Sequence, residues 1–131
     1  IKTLEEGFKY LKLPYSKDIE NKFILYRDLL KEWNQKINIT SIEEDEEIYI
    51  KHFIDSVLLL NEDNFDESKK IIDVGTGGGF PGLPLKIINV NYKLTLLDSL
   101  KKRIDFLSET TKALNLQDVK LIQADGGFWT K

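Results

Sequence analysis

Lys70-Ile71-Ile72-Asp73-Val74-Gly75-Thr76-Gly77-Gly78-Gly79-Phe80-Pro81-Gly82 is the stretch on which the fold turns. A short β-branched run ends in a glycine cluster. Such a cluster lets the backbone turn sharply from a strand into a helix and approach a ligand without Cβ clashes. Pro81 to Asn89 reads as that helix, with the proline in the first turn, where no N–H is missed. Lys93 to Asp98 is a second strand. Leu100 to Leu114 is a second helix, with Ile104, Leu107 and Leu114 among its apolar positions, and Val119 to Ala124 is a third strand. Alternating strands and helices predict an α/β fold with a parallel, doubly wound sheet. The glycine loop then lies at the carboxyl end of its strand, where such sheets bind ligands.

Upstream the pattern is helical. Leu4, Phe8 and Leu11 share a face, and Leu13-Pro14 ends the run because the residue before proline disfavours the α region. Ile19, Phe23, Tyr26, Leu30 and Trp33 then mark a long amphipathic helix. Asn34 to Thr40 breaks it, since asparagine side chains compete for backbone hydrogen bonds. Ser41 with Glu44 fits a capping box, and a helix is expected onward through Ile48, Phe53, Val57 and Leu60. The acidic run Glu43–Glu47 suits that helix's positive end, as a solvated first turn or as an interaction tail. These patterns divide the chain into a helical cap, residues 1–68, and a ligand-binding part, residues 69–131.

Composition narrows the function. The 131 residues are 41% hydrophobic and 31% charged, the profile of an ordinary globular domain. With no cysteine, disulfides, thiolate zinc sites and thiol nucleophiles are excluded, and a single histidine, His52, argues against a histidine-built metal site. No apolar run approaches the roughly 18 residues needed to span a bilayer, and no signal-peptide core is present, so a cytoplasmic location is expected. The first 65 residues carry 9 basic and 14 acidic side chains, and the remaining 66 carry 10 and 8. A whole-chain electrostatic grip on nucleic acid is therefore not expected, although a local basic patch in the second half is compatible with these numbers.

The loop itself allows two ligand readings. Gly77-x-Gly79-x-x-Gly82 matches the dinucleotide fingerprint, but Pro81 removes one of the N–H donors a pyrophosphate would need. The other reading takes Asp73, at the end of the first strand, together with Gly75-x-Gly77-x-Gly79. A carboxylate beside such a loop suits a ligand with a cationic, amine-bearing end and no phosphate. S-adenosylmethionine (SAM) is such a ligand. Asp98 ends the second strand, 23 positions after Gly75, where a carboxylate accepts hydrogen bonds from ribose hydroxyls. The plainer alternative makes Asp73 and Asp98 caps of strands or helices. Phe80 is either core or a flank of the pocket.

Taken in order, Trp33-Asn34, Asn38-Ile39-Thr40, His52-Phe53-Ile54-Asp55-Ser56, the loop from Asp73 to Leu85, and Leu97-Asp98-Ser99 followed by Lys102-Arg103 and Phe106-Leu107 resemble the bacterial small-subunit ribosomal RNA methyltransferase G family, also called glucose-inhibited division protein B. The resemblance runs from about residue 20 to residue 123. It implies a class I, Rossmann-like SAM-dependent methyltransferase with an N-terminal helical cap, acting on N7 of a guanine in 16S rRNA. It implies that Gly75 and Phe80 line the SAM site, that Asp98 with Ser99 holds the adenosine, and that Asn38, His52 and Asp55-Ser56 lie in the helical part packed over the site. With the loop reading added, Asp73, Gly75, Gly77, Gly79, Phe80, Asp98 and Ser99 are the candidate cofactor residues, and Asn38 and His52 the candidate catalytic ones. It also implies the small ribosomal subunit as partner, with neither metal nor membrane, and a monomer is expected. Guanine N7 has a free lone pair, so its methylation needs alignment of the reacting atoms rather than a catalytic base.

The likeness fades after the third strand. Where the family has an arginine-alanine-glutamate stretch on the adenine side, Ala124-Asp125-Gly126-Gly127 follows, and Asp125 is the candidate in its place. The family's later strands are not in these residues, so the first part of a larger domain is expected, with an unpaired sheet edge. Two residue groups carry double readings. His52 is a packing residue or a site residue, with Asp55 near enough on a helix to bond it. Lys101, Lys102 and Arg103 are a solvated helix face or phosphate contacts. An NAD-type oxidoreductase module and a non-catalytic interaction domain stand as the rival functions.

Overall fold

The computed structural model describes residues 2–41, 43–58 and 70–124. Helix α1 spans Lys2–Tyr10 and buries Leu4 and Phe8. It ends where Lys12 takes a left-handed φ of 59° and the Leu13 N–H reaches back to the Phe8 carbonyl at 2.9 Å, satisfying a terminal acceptor. Helix α2, Lys17–Asn34, starts on Ser16, whose hydroxyl accepts from the Ile19 N–H, and buries Phe23, Tyr26 and Leu30. It stops for the reason its sequence suggests. The Asn34 side-chain oxygen accepts from the Ile39 and Thr40 N–H groups at 2.9 and 3.0 Å, holding the chain in a turn.

The next helical run differs from expectation at its start and in its pitch. The capping box at Ser41 does not form. Helix α3, Asp45–Glu47, begins after Glu44, whose backbone is extended and whose side chain makes no cap bond. Nearby polar groups are drawn towards α2 instead: Glu43 accepts from the Asn34 amide, and Asp45 pairs with Lys31 at 2.7 Å. The run then widens into a π-helix, Ile48–Ile54, and closes as α4, Asp55–Val57. Leu60, expected on the same helix, lies outside the described residues, as does the boundary expected at 68/69.

Strands β1 (Lys70–Val74), β2 (Lys93–Asp98) and β3 (Val119–Gln123) form a parallel sheet in that order. Val74 pairs with Leu97, and Asp98 with Gln123. Helix α5, Gly82–Ile88, crosses from β1 to β2, and α6, Lys101–Ala113, from β2 to β3. Strand order advances in one direction, so right-handed crossovers put both helices on one face. The residues Leu94, Leu96, Phe106 and Leu107 lie in the core on that face. Winding on both faces requires a reversal of strand order, which these three strands do not contain. On the other face of β1, Ile72 and Val74 are exposed.

Helix α5 is buried nearly all round because the cap packs on its outer side. Leu4, Phe8, Phe23 and Phe53 of the cap belong to the same buried cluster as Leu94 and Leu96 of the sheet. Even the Lys86 ammonium of α5 is enclosed, 1% exposed, donating to the Val90 and Tyr92 carbonyls at 2.5 Å each. Burial lowers its pKa, and the charge of Asp118 opposes that shift.

Candidate functional site

The loop from Gly75 to Pro81 hangs from the end of β2. The Gly75 and Thr76 N–H groups both donate to the Leu97 carbonyl, at 2.9 and 3.0 Å. Gly75 and Gly77 have φ of +69° and +58°, and a Cβ built on either would meet nothing within 4 Å. Above them is a cradle that any side chain would begin to fill. Gly79, with φ +98°, differs: its Cβ would strike Leu83 and Tyr26 at 2.7 Å.

Both strand-end carboxylates organise this loop. Asp73, 8% exposed, accepts on Oδ2 from the Thr76 hydroxyl at 2.8 Å and the Gly82 N–H at 3.0 Å. Burial raises its pKa, the two hydrogen bonds lower it, and the charge of Asp98 adds to the rise. The Gly82 N–H, which the dinucleotide fingerprint would aim at a phosphate, is thus engaged within the protein. Asp98 Oδ2 accepts from the Gly77 N–H at 2.8 Å, Oδ1 accepts from the Leu100 N–H at 3.0 Å, and Arg103 stands 3.6 Å from Oδ1. The cation of Arg103 is therefore directed at Asp98, and that of Lys101 at Asp105. Ser99 is exposed at the strand's end, its carbonyl accepting from the Gln123 amide at 3.4 Å. Asp125 lies outside the described residues.

The cap closes over the loop through residues 37–40. Ile39 packs on Gly78, to judge by the 2.9 Å that would separate its Cγ2 from a Cβ there. On one side of Ile39, Asn38 lines a hollow with Leu100, Lys102 and Arg103. On the other, the Thr40 hydroxyl meets His52 Nε2 at 2.8 Å. The His52 ring stacks on Phe80 with centroids 4.2 Å apart and planes 2° from parallel. Asn38 and His52 thus flank the glycine loop in different hollows. The His52 ring takes Thr40 as its hydrogen-bond partner, while Asp55 reaches His52 through the backbone, its N–H donating to the His52 carbonyl at the end of the π-helix.

Tyr26 was legible only as core. It is fully buried, yet its hydroxyl donates to the Gly78 carbonyl at 2.5 Å and pins the loop. The available signal was its type: a tyrosine at a core position needs a partner for its hydroxyl.

Burial lowers the His52 pKa below the ordinary 6.5, and the Asp55 charge opposes that shift. Between those two values the unfolded chain binds more protons than the folded one. Stability therefore rises with pH through the window below 6.5 and is fully present above it. Acidifying from about pH 7 to about pH 5 should lower the urea midpoint more in the parent chain than in His52→Gln. Equal losses in the two would show that His52 does not carry this dependence.

Residues 19–126 match the family model described as rRNA small subunit methyltransferase G. The chain belongs to the rRNA small subunit methyltransferase G family. Among curated relatives it is similar to ribosomal RNA small subunit methyltransferase G of Clostridium perfringens strain 13, at 54% identity over 112 residues, which is 86% of this chain and 47% of that one. With the enzyme of the same name from Dictyoglomus thermophilum, identity is 49% over 121 residues, covering 92% and 50% of the two chains. The chain therefore spans about half the length of the curated relatives it matches. In three dimensions it resembles coclaurine N-methyltransferase, solved with N-methylheliamine and SAH, with a TM-score of 0.54 at 17% identity over 95% of this chain and 44% of that one. That likeness shows the fold alone, a class I methyltransferase sheet.

Proposed function

We propose that the chain is the cofactor-binding part of an enzyme that uses SAM to methylate N7 of a guanine in 16S rRNA, working in the cytoplasm on the small ribosomal subunit. The observation that carries this reading is the open cradle over Gly75 and Gly77 with the Asp98 carboxylate tied to its floor. The residues fit SAM by their chemistry. Glycine backbone lets the ligand come close, and no basic side chain of the loop calls for a phosphate. Asp98, with Ser99 beside it, would hold the ribose hydroxyls. Asp73, buried beneath the loop, would favour the cationic amine end, and Phe80 would flank the site.

SAM supplies an electrophilic methyl group there, and the purine gains the positive charge that the sulfonium loses. The protein's part is alignment, the effect that replaces a base when the nucleophile is already a free lone pair. Asn38 and His52, on either side of the loop, are the cap residues proposed to set that alignment. Isothermal titration should give one SAM site per chain, and labelled methyl groups should pass from SAM to 16S rRNA, offered as naked RNA and as 30S subunits. Binding of NADH with no binding of SAM would overturn the reading in favour of an oxidoreductase.

A further inference from the structure

Beside the glycine loop lies a hollow of about 570 Å³, to which Leu58, Phe80 and Pro81 present apolar surface and Lys51, His52 and Asp55 present polar groups. We infer that this hollow seats the guanine to be methylated, its ring stacked against the His52–Phe80 pair and its Watson–Crick edge read by Asp55. The inference rests on the function proposed above and names how the acceptor base is chosen.

Three observations converge on it. The first is the platform. His52 and Phe80 are parallel at 4.2 Å, and Thr40 fixes the imidazole through Nε2, so a flat, rigid aromatic surface borders the hollow. RNA-binding proteins hold unstacked bases on such surfaces. The second is Asp55. It is exposed, and no described residue donates to its carboxylate, whose two oxygens match the two donors of guanine, N1–H and the 2-amino group. Adenine presents an acceptor at N1 and has no 2-amino group, so the same carboxylate turns it away. The third is position. Phe80 and Pro81 end the same loop whose Gly75 and Gly77 form the cradle, so one loop borders both. A guanine held by its Watson–Crick edge leaves N7, on its far side, free to face the cofactor. The Asp55 charge also favours a ring that becomes cationic on methylation.

The test uses the chain as the cell makes it and a short RNA carrying the target guanine, alongside the same RNA with inosine, which lacks the 2-amino group. RNA affinity is read by fluorescence titration, and SAM affinity separately by calorimetry. Asp55→Asn should weaken the guanine RNA about tenfold or more, as expected for loss of a two-point base contact. It should weaken the inosine RNA much less, and leave SAM affinity within about twofold. Equal losses on the two RNAs, or no loss on either, would overturn the inference. A loss of SAM affinity in Asp55→Asn would overturn it too, assigning the hollow to the cofactor. Guanine-selective binding through Asp55 without methyl transfer would uphold the pocket and sink the proposed reaction, so the two failures are distinct.

Discussion

Gly79→Ala is expected to unfold much of the protein under conditions where the parent chain is native. The position asks for two things alanine lacks. Its φ of +98° is outside the range of L-residues, at a cost of about 1 kcal/mol or more. The added methyl would also stand 2.7 Å from Leu83 Cδ1 and the Tyr26 hydroxyl and 3.1 Å from Leu107 Cδ2, all fully buried. Overpacking of that kind costs about 1–3 kcal/mol, and displacing Tyr26 endangers its bond to Gly78, worth about 1 kcal/mol. About 3–5 kcal/mol is a large share of a typical domain's stability. Gly77→Ala supplies the control. Its φ of +58° is strained but the surrounding space is open, so about 1 kcal/mol is expected, with loss of SAM affinity because the methyl enters the cradle. Urea midpoints followed by circular dichroism separate the two variants; equal midpoints would refute the packing argument.

Asp98→Ala should lower SAM affinity at least about a hundredfold, and Asp98→Asn should separate binding from folding. Asp98 is 2% exposed and serves the Gly77 and Leu100 N–H groups on one carboxylate, with Arg103 alongside. Alanine leaves both N–H groups without their acceptor, costing about 1–3 kcal/mol for each one that water does not reach. Asparagine keeps one acceptor oxygen, so much of the fold's share returns. The paired acceptors for a ribose diol do not return, and a SAM loss of about tenfold or more should remain. Calorimetric titration beside thermal melts reads both quantities. SAM affinity within about twofold of the parent in Asp98→Asn would remove Asp98 from the cofactor site.

The legible parts of the fold are those that depend on near neighbours in sequence. Lys70–Val74 and Lys93–Asp98 are strands with the bounds their apolar runs suggest, and α2 covers the 3.6-residue stripe from Ile19 to Trp33. Asn34 breaks the helix as its side chain predicts, because that bond is local. What stayed hidden depends on distant partners. Ser41 and Glu44 have capping chemistry, but Lys31 on α2 takes Asp45 and the helix begins later. The π-helical pitch at His52 has no signature in residue types, and the hydroxyl that meets its ring comes from Thr40, outside that helix. The strand-end carboxylates were legible as candidates by position. Their bonds to Thr76, Gly77, Gly82 and Leu100 became visible only with the loop folded.

Lys86 bears on how the molecule can be watched. Its amine is enclosed between two carbonyls, and burial shifts it towards the neutral, nucleophilic form. Contact with solvent is what it lacks. An acylating label should therefore mark surface amines at once and reach Lys86 only when the turn between α5 and β2 opens. The extent of labelling at that one residue becomes a clock for an opening in the protein interior that no surface amine records.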